Sequence, residues 1–370
     1  MAKVRKRVLP SGRETWLVDY RDGMGHRRFR QFQTRKAADS FLLRARVEVR
    51  DGLHTPDATA ITVREAADLF ITRCETEGLR ESTIRGYRQH IDLAIVPKFG
   101  AIKLSRLTTP AIEAWKDELL RTRSRAMARR ILTTFKAILA EARRRGLVAQ
   151  NVATGVRVKK QAGDRHRIEI PTKAELNLML ERVEQAGGPR WRPFLITAIF
   201  TGLRQSELRA LRWENVDLNA GVIRVCERAD FRKRVGPPKS DAGHRDVPIG
   251  PFVANTLRAW RLASPSDATL VFPTSRDTIY GMSKVHHQFW WPLMASCGLL
   301  EPGGRPKYRF HDLRHCAASA WIAAGVTPKR IQTLMGHASI QMTFDVYGHL
   351  FADAEKDRED AAKVEARLLA

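Results

Sequence analysis

Three short runs in the first 55 residues read as strands: Val4–Leu9, Thr15–Tyr20 and Arg27–Phe32. Turn signals separate them, first Pro10-Ser11-Gly12, then Asp22-Gly23 and Gly25. The apolar period then becomes that of a helix over Arg35–Arg50, with Thr34 placed to cap its start and Gly52 just past its end. Trp16, Tyr20, Phe29 and Phe32 are expected to form the core of this small sheet. Pro56 and several small polar residues make 56–62 a linker. From there to about residue 150 the spacing is helical. Thr62-x-x-Glu65 is a capping box opening a first helix to about Thr76. Ser82 and Thr83 open a second, Thr109-Pro110 a third with proline at its first helical position, and Ser124 a long fourth ending at Gly146. In that fourth helix Ile131, Phe135, Ile138, Leu139 and Ala142 recur at helical spacing and should be buried.

Residues 151–168 read as a basic, loop-like connection carrying Lys159, Lys160, Arg165 and Arg167 with Gly155 and Gly163. Helical and strand patterns mix beyond it. The pattern therefore predicts a multidomain chain: a small β-sheet-plus-helix unit over 1–55, an all-α domain over 60–150, and a mixed α+β domain over 165–370 that ends in a tail helix.

Charge changes this picture from architecture toward partner. Lys and Arg number 65 against 40 Asp and Glu, a formal net charge of +25. Residues 1–50 hold 14 basic and 5 acidic residues, a net of +9. Such an excess points to a polyanion, and a strongly basic three-stranded sheet suits strands laid into a DNA groove. Arg121, Arg123, Arg125, Arg129, Arg130 and Arg143–Arg145 crowd the polar side of the fourth helix, as a phosphate-facing or a solvated surface. The tail, 352–370, breaks the trend with 6 acids and 4 bases, and suggests a protein contact instead. No stretch is long and apolar enough to span a bilayer, and the charged start lacks the apolar segment of a secretory signal. Cys74, Cys226, Cys297 and Cys316 form no C-x-x-C pair, which argues against a disulfide framework or zinc knuckle. No phosphate-binding glycine loop suggests ATP use.

Three stretches of the last domain carry chemistry. In Thr201-Gly202-Leu203-Arg204-Gln205-Ser206-Glu207-Leu208, an apolar helix over Phe194–Phe200 stops at Gly202, and Ser206 is placed to cap the next. Arg204 is then held in a tight turn, with the Glu207 carboxylate three residues on to orient it. In Phe310-His311-Asp312-Leu313-Arg314-His315, helical spacing brings His311, Arg314 and His315 to one face. The two histidines have metal-ligand spacing, but the glutamate of H-E-x-x-H is missing and Arg314 sets a cation beside them, so a phosphate clamp fits better. In Leu334-Met335-Gly336-His337-Ala338-Ser339, Gly336 ends a helix and presents His337 at a turn, with Tyr347 ten residues later.

Taken together and in this order, these stretches resemble the catalytic domain of the tyrosine recombinase (phage integrase) family, over about residues 170–350. The block 60–150 resembles the family's core-binding domain, and residues 1–55 its arm-type DNA-binding domain. The family also has a lysine on a β-hairpin between the first two motifs. Here Gly221–Cys226 and His244–Ile249 read as strands, and Lys239 stands before Arg245-Asp246-Val247-Pro248 at the matching place, with Lys233 as the alternative. Met335 replaces the leucine that usually precedes the glycine-histidine pair, a volume-conserving change.

The resemblance implies a site-specific recombinase that integrates and excises a mobile element without metal, ATP or other cofactor. Tyr347 would be the nucleophile, joined to a 3′-phosphate. Arg204, Arg314 and His337 would grip the non-bridging oxygens, and His311 would hydrogen-bond the phosphate. Lys239 would protonate the leaving 5′-oxygen, His315 would assist the tyrosine's proton, and Glu207 would orient the site. Implied partners are double-stranded DNA at core and arm-type sites, three further copies of the chain in a tetramer on a Holliday junction, an excision factor and a host DNA-bending protein, in a bacterial, nucleoid-associated cytoplasmic setting. Rival expectations are a type IB topoisomerase and a non-catalytic DNA-binding regulator on the same fold.

Overall fold

The computed structural model describes residues 3–52, 54–57, 60–159, 161 and 169–350, with 362, 364–367 and 369 of the tail. The expectations for Lys160, Gly163, Arg165 and Arg167, and for most of the tail helix, lie outside the described residues. The chain divides into two compact units, residues 1–166 and 167–370.

The first unit opens with an antiparallel sheet, β1 (Lys3–Val8), β2 (Glu14–Arg21) and β3 (Arg27–Phe32), in that order. Val4 and Arg30 pair with Val18, which fixes the register. Successive strand residues face opposite sides, so Val4, Trp16, Val18, Tyr20 and Phe32 share the face covered by Phe41, Leu42 and Ala45 of α1 (Arg35–Arg50). Phe29 departs from its expected place in the core. It pairs with Asp19 on the opposite parity, is 58% exposed, and lies under the Arg27 guanidinium at 5.1 Å.

Five further helices follow: α2 (Val63–Thr76), α3 (Glu81–His90), α4 (Val96–Phe99), α5 (Thr109–Thr122) and α6 (Arg125–Arg144). The α2 capping box is formed on both sides, Thr62 Oγ1 accepting from Glu65 N at 3.3 Å and Glu65 Oε2 accepting from Thr62 N at 2.7 Å. Two expected starts move. Helix α3 begins at Glu81, ahead of Ser82 and Thr83, without a side-chain cap, and continues through a wide turn at Ile91–Ile95 into α4. Helix α5 is capped by Thr108, one residue early, because its hydroxyl reaches Ala111 N. Ile131, Phe135, Ile138, Leu139 and Ala142 of α6 are all buried, with Phe70, Phe99 and Trp115, in a core distinct from that of the sheet. The 54–57 stretch is well anchored, with Asp57 accepting from Ser105 Oγ at 2.7 Å and pairing with Arg106.

The second unit is built around α8 (Trp191–Thr201), whose residues are buried nearly all round, as expected of a central helix. Helix α7 (Lys173–Gly187) precedes it and α9 (Gln205–Leu208) follows. A sheet of order β4-β5-β8 comes next, from β4 (Val216–Asp217), β5 (Val222–Val225) and β8 (Arg245–Pro248). A ribbon of β6 (Arg228–Ala229) and β7 (Val235–Gly236) is inserted before β8. Helices α10 (Pro251–Ala263), α11 (Met282–Val285) and α12 (Trp291–Ser296) complete the main core around Phe194, Phe289 and Trp290. Helices α13 (Asp312–Ala323), α14 (Pro328–Met335) and α15 (Ile340–Tyr347) follow and enclose a small second core of Ala318, Ile322, Ile331, Met335 and Tyr347.

Candidate active site

Helix α8 ends at Gly202, where φ is +59°, a backbone conformation that favours glycine. A Cβ there would press on Trp321, Ala317 and Met335, so the chain turns tightly against α13 and α14. Arg204 follows in extended conformation at the head of α9. Ser206, expected to cap that helix, lies inside its first turn, and Glu207 does the capping. Glu207 Oε2 accepts from the Arg204 backbone N at 2.9 Å, and Oε1 accepts from Arg204 Nη1 at 2.7 Å. Arg204 Nη2 donates to the Gly336 carbonyl at 2.9 Å. Burial would raise the Glu207 pKa, but the Arg245 and Arg204 guanidiniums outweigh it and hold the carboxyl down at about 2.

Arg314, in the first turn of α13, is 3% exposed and donates to the carbonyl oxygens of Gly202 and Met335. It thereby ties the ends of α8 and α14 to α13. Burial and the neighbouring Arg204 press its pKa downward, and Glu207 opposes them. His311 stands at the head of α13, its ring edge-on to that of His315 with centroids 5.5 Å apart. Helix α14 stops at Gly336, φ +59°, and His337 follows in the turn. His337 is buried, with Nδ1 2.9 Å from Thr343 Oγ1. Desolvation, then the Arg314 and Arg204 cations, lower its pKa to about 4, so the ring is neutral at pH 7.

Tyr347 closes α15 inside the small core and is 3% exposed. Its hydroxyl lies 2.5 Å from His315 Nδ1. Burial pushes the phenol pKa above its ordinary value, against the pull of Arg314. Desolvation lowers the His315 pKa, which favours the neutral ring. The structure thus brings Arg204, Glu207, Arg314, His315, His337 and Tyr347 to the junction of α8, α9, α13, α14 and α15, with His311 at its edge.

The two lysines are placed differently. Lys233 sits at the tip of the β6–β7 ribbon with φ +66°. Lys239 is exposed in the connection from β7 to β8. Three residues later the Ala242 carbonyl abuts Gly336, where an added Cβ would come within 2.9 Å of it. The segment bearing Lys239 is therefore packed on the turn of His337. Sequence reasoning missed Arg245, a buried guanidinium donating to Glu207 Oε2 at 2.8 Å, and Thr343, the partner of His337. The strand alternation around Val247 was the signal for Arg245, since it places that side chain inward. Among the described residues no group of His, Cys, Asp and Glu is arranged to hold a metal ion, and no helix is long and apolar enough to cross a membrane.

Arg204 and Arg245 share one carboxylate, Glu207, with the Arg314 cation close by, and the positive charge left over suits an anion with several oxygens. Beside it the Tyr347 hydroxyl lies against the ring of His315. A hydroxyl beside a cluster of cations suits phosphoryl or acyl transfer. The comparisons decide between them. Residues 171–353 match the phage integrase family, and residues 62–120 match the phage integrase N-terminal SAM-like domain. The phiRv2 prophage integrase of Mycobacterium tuberculosis is 27% identical over 97% of this chain and 94% of its own. Tyrosine recombinase XerC of Xylella fastidiosa is 30% identical over 60% of this chain and 70% of its own. A lambda integrase tetramer bound to a Holliday junction shares the fold with a TM-score of 0.61 at 20% identity, covering 90% of this chain and 95% of that one. The chain belongs to the phage integrase family and is a site-specific tyrosine recombinase.

Proposed function

We propose that this recombinase integrates and excises a mobile element by breaking and rejoining DNA through a 3′-phosphotyrosyl bond. The observation that carries the reading is the 2.5 Å contact between Tyr347 Oη and His315 Nδ1, one residue along the chain from the buried Arg314. In the first step Tyr347 Oη bonds to the scissile phosphorus and the bond from phosphorus to the 5′-oxygen breaks. The phenolic proton passes to His315, and Lys239 gives a proton to the departing oxygen. Arg204, Arg314 and His337 hold the non-bridging oxygens, where charge grows in the transition state, and His311 adds a hydrogen bond at the edge. Glu207 keeps Arg204 in place. Rejoining reverses these transfers with a different 5′-hydroxyl, so the energy of the phosphodiester is conserved and no ATP or metal is required.

Residues 1–55 are proposed to bind arm-type sites and the helical block 60–150 to bind core sites, both on double-stranded DNA, in support of which stand their charge and the SAM-like match. A tetramer acting through a Holliday junction is proposed on the likeness to the lambda integrase tetramer. An excision factor and a host DNA-bending protein complete the proposed assembly, which works on a bacterial nucleoid.

The test traps covalent protein–DNA complexes in cells that carry the parent element and sequences the attached DNA. Wild type is expected to yield one recurrent site, and Tyr347→Phe none. Scattered sites would turn the reading toward a topoisomerase. Excision without any covalent DNA would leave a non-catalytic regulator.

A further inference from the structure

Arg245 occupies the first inward position of β8, followed by outward Asp246 and buried Val247, and its side chain is 1% exposed. A guanidinium taken out of water is costly unless its donors are matched. Here they are matched to three separate pieces of the site. Nη2 donates to Glu207 Oε2 at 2.8 Å, and Nη1 approaches Oε1 at 3.3 Å. Nε donates to the Leu334 carbonyl at 2.7 Å, at the end of α14. Nη1 also donates to the Gly243 carbonyl at 3.0 Å, in the segment that follows Lys239. The backbone of Gly336 lies directly on this side chain, since an added Cβ would stand 3.1 Å from Nη1 and 3.2 Å from Cδ.

We infer that Arg245 is a positioning residue of the strand-breaking site, registering the Arg204–Glu207 pair against the turn of Gly336 and His337. The inference rests on the reading of the site as a scissile-phosphate clamp. Two consequences follow from the geometry. Arg245 shares the Glu207 carboxylate with Arg204, so Glu207 orients Arg204 without cancelling its charge. It also fixes the Leu334–Gly336 segment, whose carbonyl groups hold Arg204 and Arg314. Lysine has the charge but not the planar fork needed to reach three partners at once.

The experiment uses the full-length protein and the attachment-site duplex recovered by covalent trapping. Single-turnover formation of the covalent complex is measured for wild type, Arg245→Lys and Arg245→Met, alongside thermal unfolding and DNA affinity. Each rate is measured on a normal scissile phosphodiester and on a neutral methylphosphonate at the same position. On the phosphodiester, Arg245→Met is expected to lose about 100-fold and Arg245→Lys about 10-fold, with DNA affinity unchanged. On the methylphosphonate, which has less need of guanidinium charge, both losses are expected to shrink several-fold. A protein that is merely loosened would lose the same factor on both substrates, and that result overturns the inference, as does an undiminished rate in both variants. Should Arg245→Met fail to fold, Arg245→Lys alone decides by the same comparison. Absence of cleavage by wild type would instead strike at the proposed reaction itself.

Discussion

Replacing Glu207 by glutamine keeps the shape of the side chain and removes its charge. Arg245 is then left buried beside a neutral group, so Glu207→Gln is expected to destabilise the second unit by ~3 kcal/mol at neutral pH in a denaturant titration. The sign of the pH dependence follows from the depressed pKa. Glu207 titrates at about 2 in the folded protein, against ~4.3 when unfolded. Its stabilisation is therefore fully present above ~4.3 and fades as pH falls toward about 2. The gap between wild type and variant should narrow over that window, and a constant gap would refute the ion-pair account. At this scale the sequence displayed its chemistry unevenly. Arg204, His311, Arg314 and His337 stood in short recognisable runs, whereas Arg245 and Thr343 act through contacts with residues 38 and 6 positions away. Strand alternation could turn Arg245 inward, but it could not name Glu207 as the partner that makes a buried charge tolerable.

Local signals served the elements well wherever a single side chain decides the geometry. Thr34, Thr62 and Ser124 cap the helices they were expected to cap. Thr109 and Ser206 did not, because a neighbour competes for the same role: Thr108 in one case, the Glu207 carboxylate in the other. Phe29 shows the limit of composition as a guide, since strand parity, not hydrophobicity, puts it outside. Gly336 offers the sharpest test of an element boundary. Its left-handed conformation costs a side-chain-bearing residue ~1–2 kcal/mol, and a methyl group would also meet Ala242 O at 2.9 Å. Gly336→Ala is expected to lower the melting temperature and to slow covalent complex formation at least about tenfold by shifting His337. A variant with wild-type melting and wild-type cleavage would show that the turn tolerates the change.

For the whole molecule, the formal charge of +25 sets the expected behaviour toward DNA. Binding dominated by phosphate contacts should weaken by about 1,000-fold or more between about 50 and 200 mM salt, read by fluorescence anisotropy on a short duplex. A nearly flat salt dependence would remove the basic surfaces from the account. Composition made that partner legible, and the ordered motifs made the reaction class legible, but no local pattern revealed that Tyr347 is buried. Tyr347 rests 3% exposed in the small core of α13, α14 and α15, with its hydroxyl against His315. On the proposed reaction, a side chain so enclosed would reach a DNA phosphate only after α15 shifts, and the apparent rate would scale with the fraction of molecules in which it had done so. That burial would then work as a safety catch: a molecule drifting along a chromosome would carry a strand-cutting group it could not yet use, and the choice of where to cut would pass from the chemistry of the tyrosine to whatever assembly exposes it.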